Sequence, residues 1–209
     1  MGANYAQWRT NNSFVGFNPT NTTPPFIQIF DPAFLEVTGV DATIRLVASH
    51  PGFAVAHGAP IYVPELNLVF FASNTGGTLG YSGWYNNSVV SMVNMTEVDD
   101  ALAATTGGVN VQIQTVSRPI NIRSSLIFGQ LNISDSVQMV NGGTGPYKGN
   151  LLFVTSGRAL LPPSVVLVNP SPPYNYTILL DNFYGRQFNS LSDVKVLPGT
   201  DIVFFTDPS

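Results

Sequence analysis

Five polar side chains in this sequence could take part in chemistry. They are His57 and a later group made of Arg186, Asn189, Ser192 and Asp193. An imidazole and a carboxylate can move protons, a guanidinium can hold an anion, and an amide with a hydroxyl can fix a polar ligand. Each also has a plainer explanation. His57 can line a turn and bond to backbone, Arg186 can pair with a carboxylate or cap carbonyls, Asn189 can cap its own turn, and Asp193 can orient that turn. Other stretches only approach a reactive motif. "GYSGW" (80–84) is one residue short of a nucleophile elbow and has no strand-to-helix setting. "NGGTGPYKGN" (141–150) carries glycines and Lys148 without phosphate-loop spacing, is interrupted by Pro146, and reads as a hairpin turn feeding a strand at 150.

The elements that must position these groups are strands. "PIYV" (60–63), "NLVFFAS" (67–73), "VNVQIQTV" (109–116), "NLLFVTS" (150–156), "SVVLV" (164–168), "YTILL" (176–180), "DVKVL" (193–197) and "DIVFFTD" (201–207) are rich in β-branched and aromatic residues. Most are bounded by Gly, Pro, Asn or Asp. "VQIQTV" alternates as a half-buried antiparallel strand does. One helix is expected at "TEVDDALAAT" (96–105), capped by Thr96 and stopped by Gly107–Gly108, with Asp99 and Asp100 near its positive end. The chain reads as all-β.

The strands repeat. "VPELNLVFFAS" (63–73) and "LPGTDIVFFTD" (197–207) share an apolar-Pro turn, a polar residue and a strand carrying Phe-Phe, and "NLLFVTS" is a weaker third copy. Their strands start at 67, 150 and 201, spacings of 83 and 51 residues. Repeats of about 40–50 residues built from short antiparallel strands mark β-propeller blades. The longer interval suits a blade carrying an insertion around the helix, or two compact blades. A β-sandwich of similar strands is the competing architecture. The apolar strand "IVFFT" runs almost to the terminus, so a partial propeller of three to four blades is expected, with residues 1–25 as an N-terminal segment and 26–209 as blades.

Bulk composition narrows the partners. The chain has 209 residues, 44% of them apolar and only 10% charged, against roughly 25% charged in ordinary globular chains. Lys148 and Lys195 are the only lysines and the net charge is −4, which argues against a nucleic-acid backbone partner. No apolar run is long enough for a spanning helix, so no membrane partner is expected. A small molecule, a lactone or an apolar metabolite, is the expected partner. There are no cysteines, which excludes disulfides, thiolate metal sites and a cysteine nucleophile. Six Asn-x-Ser/Thr sequons (Asn11, Asn21, Asn86, Asn94, Asn132, Asn175) point toward secretion, although "MGANYAQW" does not read as a signal sequence.

Three stretches together resemble the regucalcin–gluconolactonase family, in particular its fungal lactonohydrolase branch. They are "FDPAFLEVTG" (30–39), "AHGAPIYVPELNLVFFASN" (56–74) and "GRQFNSLSDVKVLPGTDIVFFTDPS" (185–209), the last being the most specific. The resemblance implies a six-bladed propeller, of which this chain matches about the first half. It also implies a divalent metal, calcium or zinc, in the central channel, held by oxygen ligands and polarising a lactone carbonyl so that water opens the ring to a hydroxy acid. This sequence departs from that pattern. The family's His-Glu-Ala-Pro segment here reads "HGAP", with Gly58 in the glutamate's place, and Ser192 stands where an asparagine precedes the aspartate. No cofactor is therefore expected for this chain. By resemblance Asp193 and Asn189 are the candidate catalytic residues, and His57, Arg186 and Ser192 the candidate substrate contacts. Three functions follow: a lactone hydrolase that is incomplete, a metal-independent propeller of fungal secondary metabolism that orients a metabolite for cycloaddition, and a remnant that only binds.

Overall fold

The structure, a computed structural model, describes residues 31–39, 42–50, 53–75, 88–115, 133, 136–137, 139–158 and 160–208. Two compact units divide the chain, Met1–Leu46 and Val47–Ser209. The first holds a short 3-10 turn, Pro32–Phe34, running into helix α1, Leu35–Thr38. Asp31 starts it by accepting the Ala33 N–H at 2.9 Å, and Gly39, at φ 73°, ends it. The sequence reading had not marked this helix.

The second unit is built of antiparallel sheets. Sheet 1 runs in the order β1 (Phe53–Val63), β2 (Leu68–Thr75), β3 (Ser88–Asn94), β4 (Gln114–Thr115). Sheet 2 repeats that order with β5 (Val140–Tyr147), β6 (Asn150–Thr155), β7 (Val165–Val168) and β8 (Tyr176–Leu180). A small hairpin, β9 (Asn182–Phe183) with β10 (Arg186–Gln187), follows, and sheet 3 pairs β11 (Val194–Val196) with β12 (Val203–Phe205). The three similar stretches of sequence occupy one structural role: β2, β6 and β12 are each the second strand of a sheet. Among the described residues the long interval holds β2, β3 and β4 of sheet 1, with helix α2 (Met95–Ala103) inserted between β3 and β4.

Three apolar clusters alternate with the sheets. Phe71, Val93 and Val98 lie on one side of sheet 1, where α2 and the extended segment carrying Val111 and Ile113 cover it. Ile61, Phe70, Val90 and Met92 meet Leu151, Phe153, Val166 and Val168 between sheets 1 and 2. Leu152, Val154 and Val165 meet Leu191, Val194 and Phe188 between sheets 2 and 3, where Phe188 sets its ring edge-on to Phe205. The continuous apolar strands are thus those covered on both faces. None of the described helices is long and apolar enough to cross a membrane.

Several local expectations change. The α2 cap is Asn94, whose side chain accepts the Thr96 N–H at 2.9 Å, while the Thr96 hydroxyl accepts from Asn67 at 3.0 Å. Asn67 itself, at φ 51°, ends the Pro64–Leu66 turn between β1 and β2, so one asparagine closes that turn and anchors the helix start. "NGGTGPY" is the first strand of sheet 2; only Lys148 and Gly149, both at positive φ, form the turn to β6. Among the described residues of "VNVQIQTV" only Gln114 and Thr115 join a ladder, opposite Met92 and Ser91. Its alternation still operates, because Val111 and Ile113 face the cluster around Phe71.

Candidate functional site

The first strands of the three sheets lie side by side, β1 against β5 and β5 against β11. Glycines make this possible. A Cβ on Gly58 would stand 2.5 Å from the backbone oxygen of Asn141. One on Gly142 would stand 2.4 Å from the Ser192 oxygen and 2.6 Å from the Asp193 Cα. No side chain fits at either place without backbone moving apart. The same two contacts bring His57–Gly58, Asn141 and Ser192–Asp193 to one level of the three strands.

Each residue at this level is fixed from behind. The pairing of β1 with β2 shifts register on both sides of Gly58, and Ala56 (φ 54°) and Ala59 (φ 53°) take the left-handed conformation around it. Bulges of this kind re-aim a side chain, and the costly alanine conformations persist only where surrounding structure holds them. Exposed His57 is the side chain carried on this segment. Asn141 donates from Nδ2 to the Leu191 carbonyl at 3.3 Å. Ser192 donates its N–H to the Thr206 carbonyl at 3.1 Å, and Asp193 donates its own to Thr206 Oγ1 at 3.1 Å. Asp193 is exposed and its Oδ1 accepts the Val194 N–H at 2.8 Å, which leaves Oδ2 as its second acceptor.

The other two expected residues stand apart from this level. Asn189 is exposed, and its N–H, with that of Ser190, donates to Asp207 Oδ1 at 2.9 and 3.0 Å. Asp207 is therefore the clamp of the turn that leads into Ser192. Arg186 is exposed on the β9–β10 hairpin, in register with Phe183. Asn141 was not among the residues singled out by sequence. Its signal is its place directly before Gly142–Gly143 at the start of the first strand of sheet 2, obscured because those glycines read as a turn. "GYSGW" lies outside the described residues.

The cation that the resemblance implies can be tested against these donors. Gly58 supplies no ligand and its Cβ direction is filled by a backbone carbonyl. Asn141 spends its Nδ2 on the Leu191 carbonyl and Asp193 spends Oδ1 on the Val194 N–H, so Asn141 Oδ1 and Asp193 Oδ2 are the amide and carboxylate oxygens left for a cation at this level. Among the described residues no three His, Asp, Glu or Cys side chains gather as a metal site. Calcium needs about six to eight oxygens, and zinc about four ligands. The residues present do not fit either.

A separate open cavity of about 610 Å³ lies at the other end of β5, lined by Thr144–Tyr147 and Val196–Asp201. There Asp201 accepts from Tyr147 Oη at 2.9 Å and from Lys148 Nζ at 2.8 Å, joining the β5–β6 turn to the β11–β12 turn. This cavity begins at Thr144, three residues along β5 from Asn141, and its Tyr147 and Asp201 side chains bond each other, so the candidate site is the level of the first strands that carries His57, Asn141 and Asp193, and not the cavity. Comparison with family models, curated proteins and solved structures finds nothing that matches this chain.

Proposed function

We propose that the sheets are consecutive blades of a lactonohydrolase-like β-propeller, and that their inner strands hold an uncharged small molecule by hydrogen bonds, without a bound cation. One observation carries this reading: three neighbouring first strands bring His57, Asn141, Ser192 and Asp193 to one level. Repeated four-stranded meanders sharing such a row of inner strands support the propeller arrangement, in which the row borders a central channel. The chemistry offered there is donation from His57 and the Ser192 hydroxyl and acceptance at Asp193 Oδ2. Such groups suit the carbonyl and hydroxyls of a lactone or of a larger oxygenated metabolite. Orientation of a bound molecule is the catalytic resource of a site without a Lewis acid, and it can be substantial. Asp193 is the group placed to take a proton.

Calorimetric titration of a panel of neutral lactones, with chelator present throughout, tests the proposal. Saturable binding that is indifferent to chelator and weakened about tenfold by Ser192→Ala is expected, one lost hydrogen bond being about 1.4 kcal/mol or less. Binding that appears only after calcium or zinc is added would refute it.

A further inference from the structure

Two of the Asn-x-Ser/Thr sequons have their asparagine among the described residues, and the fold treats the two differently. Asn94-Met95-Thr96 is spent on structure. Asn94 is half-buried, pairs with Leu68 at the end of β3 and caps α2 through Oδ1, while the Thr96 hydroxyl accepts from Asn67. The backbone of that sequon passes straight into helix. Asn175-Tyr176-Thr177 instead opens β8. Buried Tyr174 pins the β7–β8 loop from behind. The Asn175 carbonyl accepts the Asn169 N–H at 2.8 Å, so Asn175 continues the ladder in which Thr177 is paired with Leu167. Two apart on an extended strand, Asn175 and Thr177 share a face. Both are exposed, and neither side chain makes a hydrogen bond among the described residues.

The strand that Asn175 opens is an unguarded edge. Among the described residues β8 pairs with β7 alone, and Ile178 and Leu179 are 43% and 45% exposed. It carries neither lysine nor proline, the usual guards of an edge, and its one register shift lies at the other end, against Val165 and Val166. We propose that Asn175 is an N-glycan acceptor in the folded chain, and that its glycan guards the outer edge of sheet 2. The donor is an oligosaccharide carried on a polyprenyl diphosphate. Asn175 Nδ2 bonds to the anomeric carbon, the bond from that carbon to the phosphate oxygen breaks, the diphosphate leaves, and one amide proton passes to base. Thr177 supplies the hydroxyl that the sequon requires. A bulky, hydrated group at the first turn of the strand keeps a second polypeptide from pairing along it. The inference does not depend on the small-molecule site.

The intact chain, sent through the secretory pathway of a eukaryotic host behind a cleavable leader, tests the proposal. Peptide mapping of the folded product should find sugar on Asn175 in most molecules and on Asn94 in few. Asn175→Gln should lose that glycopeptide, keep the cooperative melt and self-associate more readily. A bare Asn175, equal occupancy at Asn94, or unchanged self-association in Asn175→Gln overturns the proposal. A second measurement does not depend on secretion. The folded chain, purified from bacteria, is incubated with a soluble asparagine glucosyltransferase and UDP-glucose. Glucose should reach Asn175 and not Asn94, although short peptides spanning either sequon accept it alike. Failure of transfer to Asn175 in the folded chain while its peptide is modified equally overturns the inference.

Discussion

Gly58 is where the resemblance and the packing give different accounts of one residue. By resemblance it is a missing glutamate, a position to which a ligand could be restored. In the packed structure it is the point at which β1 passes the Asn141 carbonyl, with a Cβ position only 2.5 Å from that oxygen. The nearest atom is backbone, so no side-chain rotation relieves the contact. Gly58→Ala should therefore lower stability by about 1–3 kcal/mol in urea denaturation, the usual cost of overpacking. Gly58→Glu should lower it at least as much and gain no calcium affinity by calorimetry. A Gly58→Glu protein that melts like the parent and binds calcium would show that the strands separate readily and that the lost-ligand account is sufficient. Asn141 carries the complementary lesson. Its role depends on Leu191, fifty positions away, and no spacing rule reaches that far.

At the scale of elements, what the sequence made legible was whatever local pattern decides. The strands at 150–155, 176–180 and 203–205 follow from β-branched and aromatic runs, and the equivalence of β2 and β12 follows from the Phe-Phe repeat, with β6 as its weaker copy. Strand β3 was missed because Ser88, Ser91 and Asn94 interrupt its apolar run. Ser91 is nevertheless fully buried, since its hydroxyl meets that of Ser73 at 3.2 Å across the ladder. Strand β5 was read as a turn because glycine usually marks turns, whereas here tertiary crowding from β1, β6 and β11 requires it. Helix α2 lies within two residues of the expected bounds, but its cap is Asn94, two positions before the expected Thr96. This has a consequence that can be measured. Asn94→Ala should cost about 1 kcal/mol, in the range for N-cap removal, and Thr96→Val less, because Thr96 loses only an exposed contact to Asn67. The reverse order in thermal melts would return the cap to Thr96.

Across the whole second unit, sheets and apolar clusters alternate, so each sheet is held chiefly by its neighbours' side chains. At one end of the inner strands the glycine contacts set the spacing. At the other end sheets 2 and 3 are joined by the exposed Lys148–Asp201 pair with Tyr147. The hydrogen bond from Lys148, and then that from Tyr147, holds the Asp201 carboxyl below its ordinary 3.8; the bond to Asp201, and then Tyr147, holds the Lys148 ammonium above its ordinary 10.5. The signs follow by linkage. The depressed acid contributes stability that is fully present above 3.8 and fades as pH falls through its lowered value, while the raised base contributes stability present below 10.5 and lost as pH rises through its raised value. A double-mutant cycle with Lys148→Met and Asp201→Asn should accordingly give a small coupling that is level from about pH 5 to pH 9. With both side chains more than half exposed, the coupling should shrink steeply at about 1 M salt, where the screening length is about 3 Å. A coupling that titrates between those pH values, or that ignores salt, would mean that the two turns are held by something other than this pair. In that event the apolar cluster of Leu152, Val154, Leu191 and Val194 would by itself be the structural joint between sheets 2 and 3.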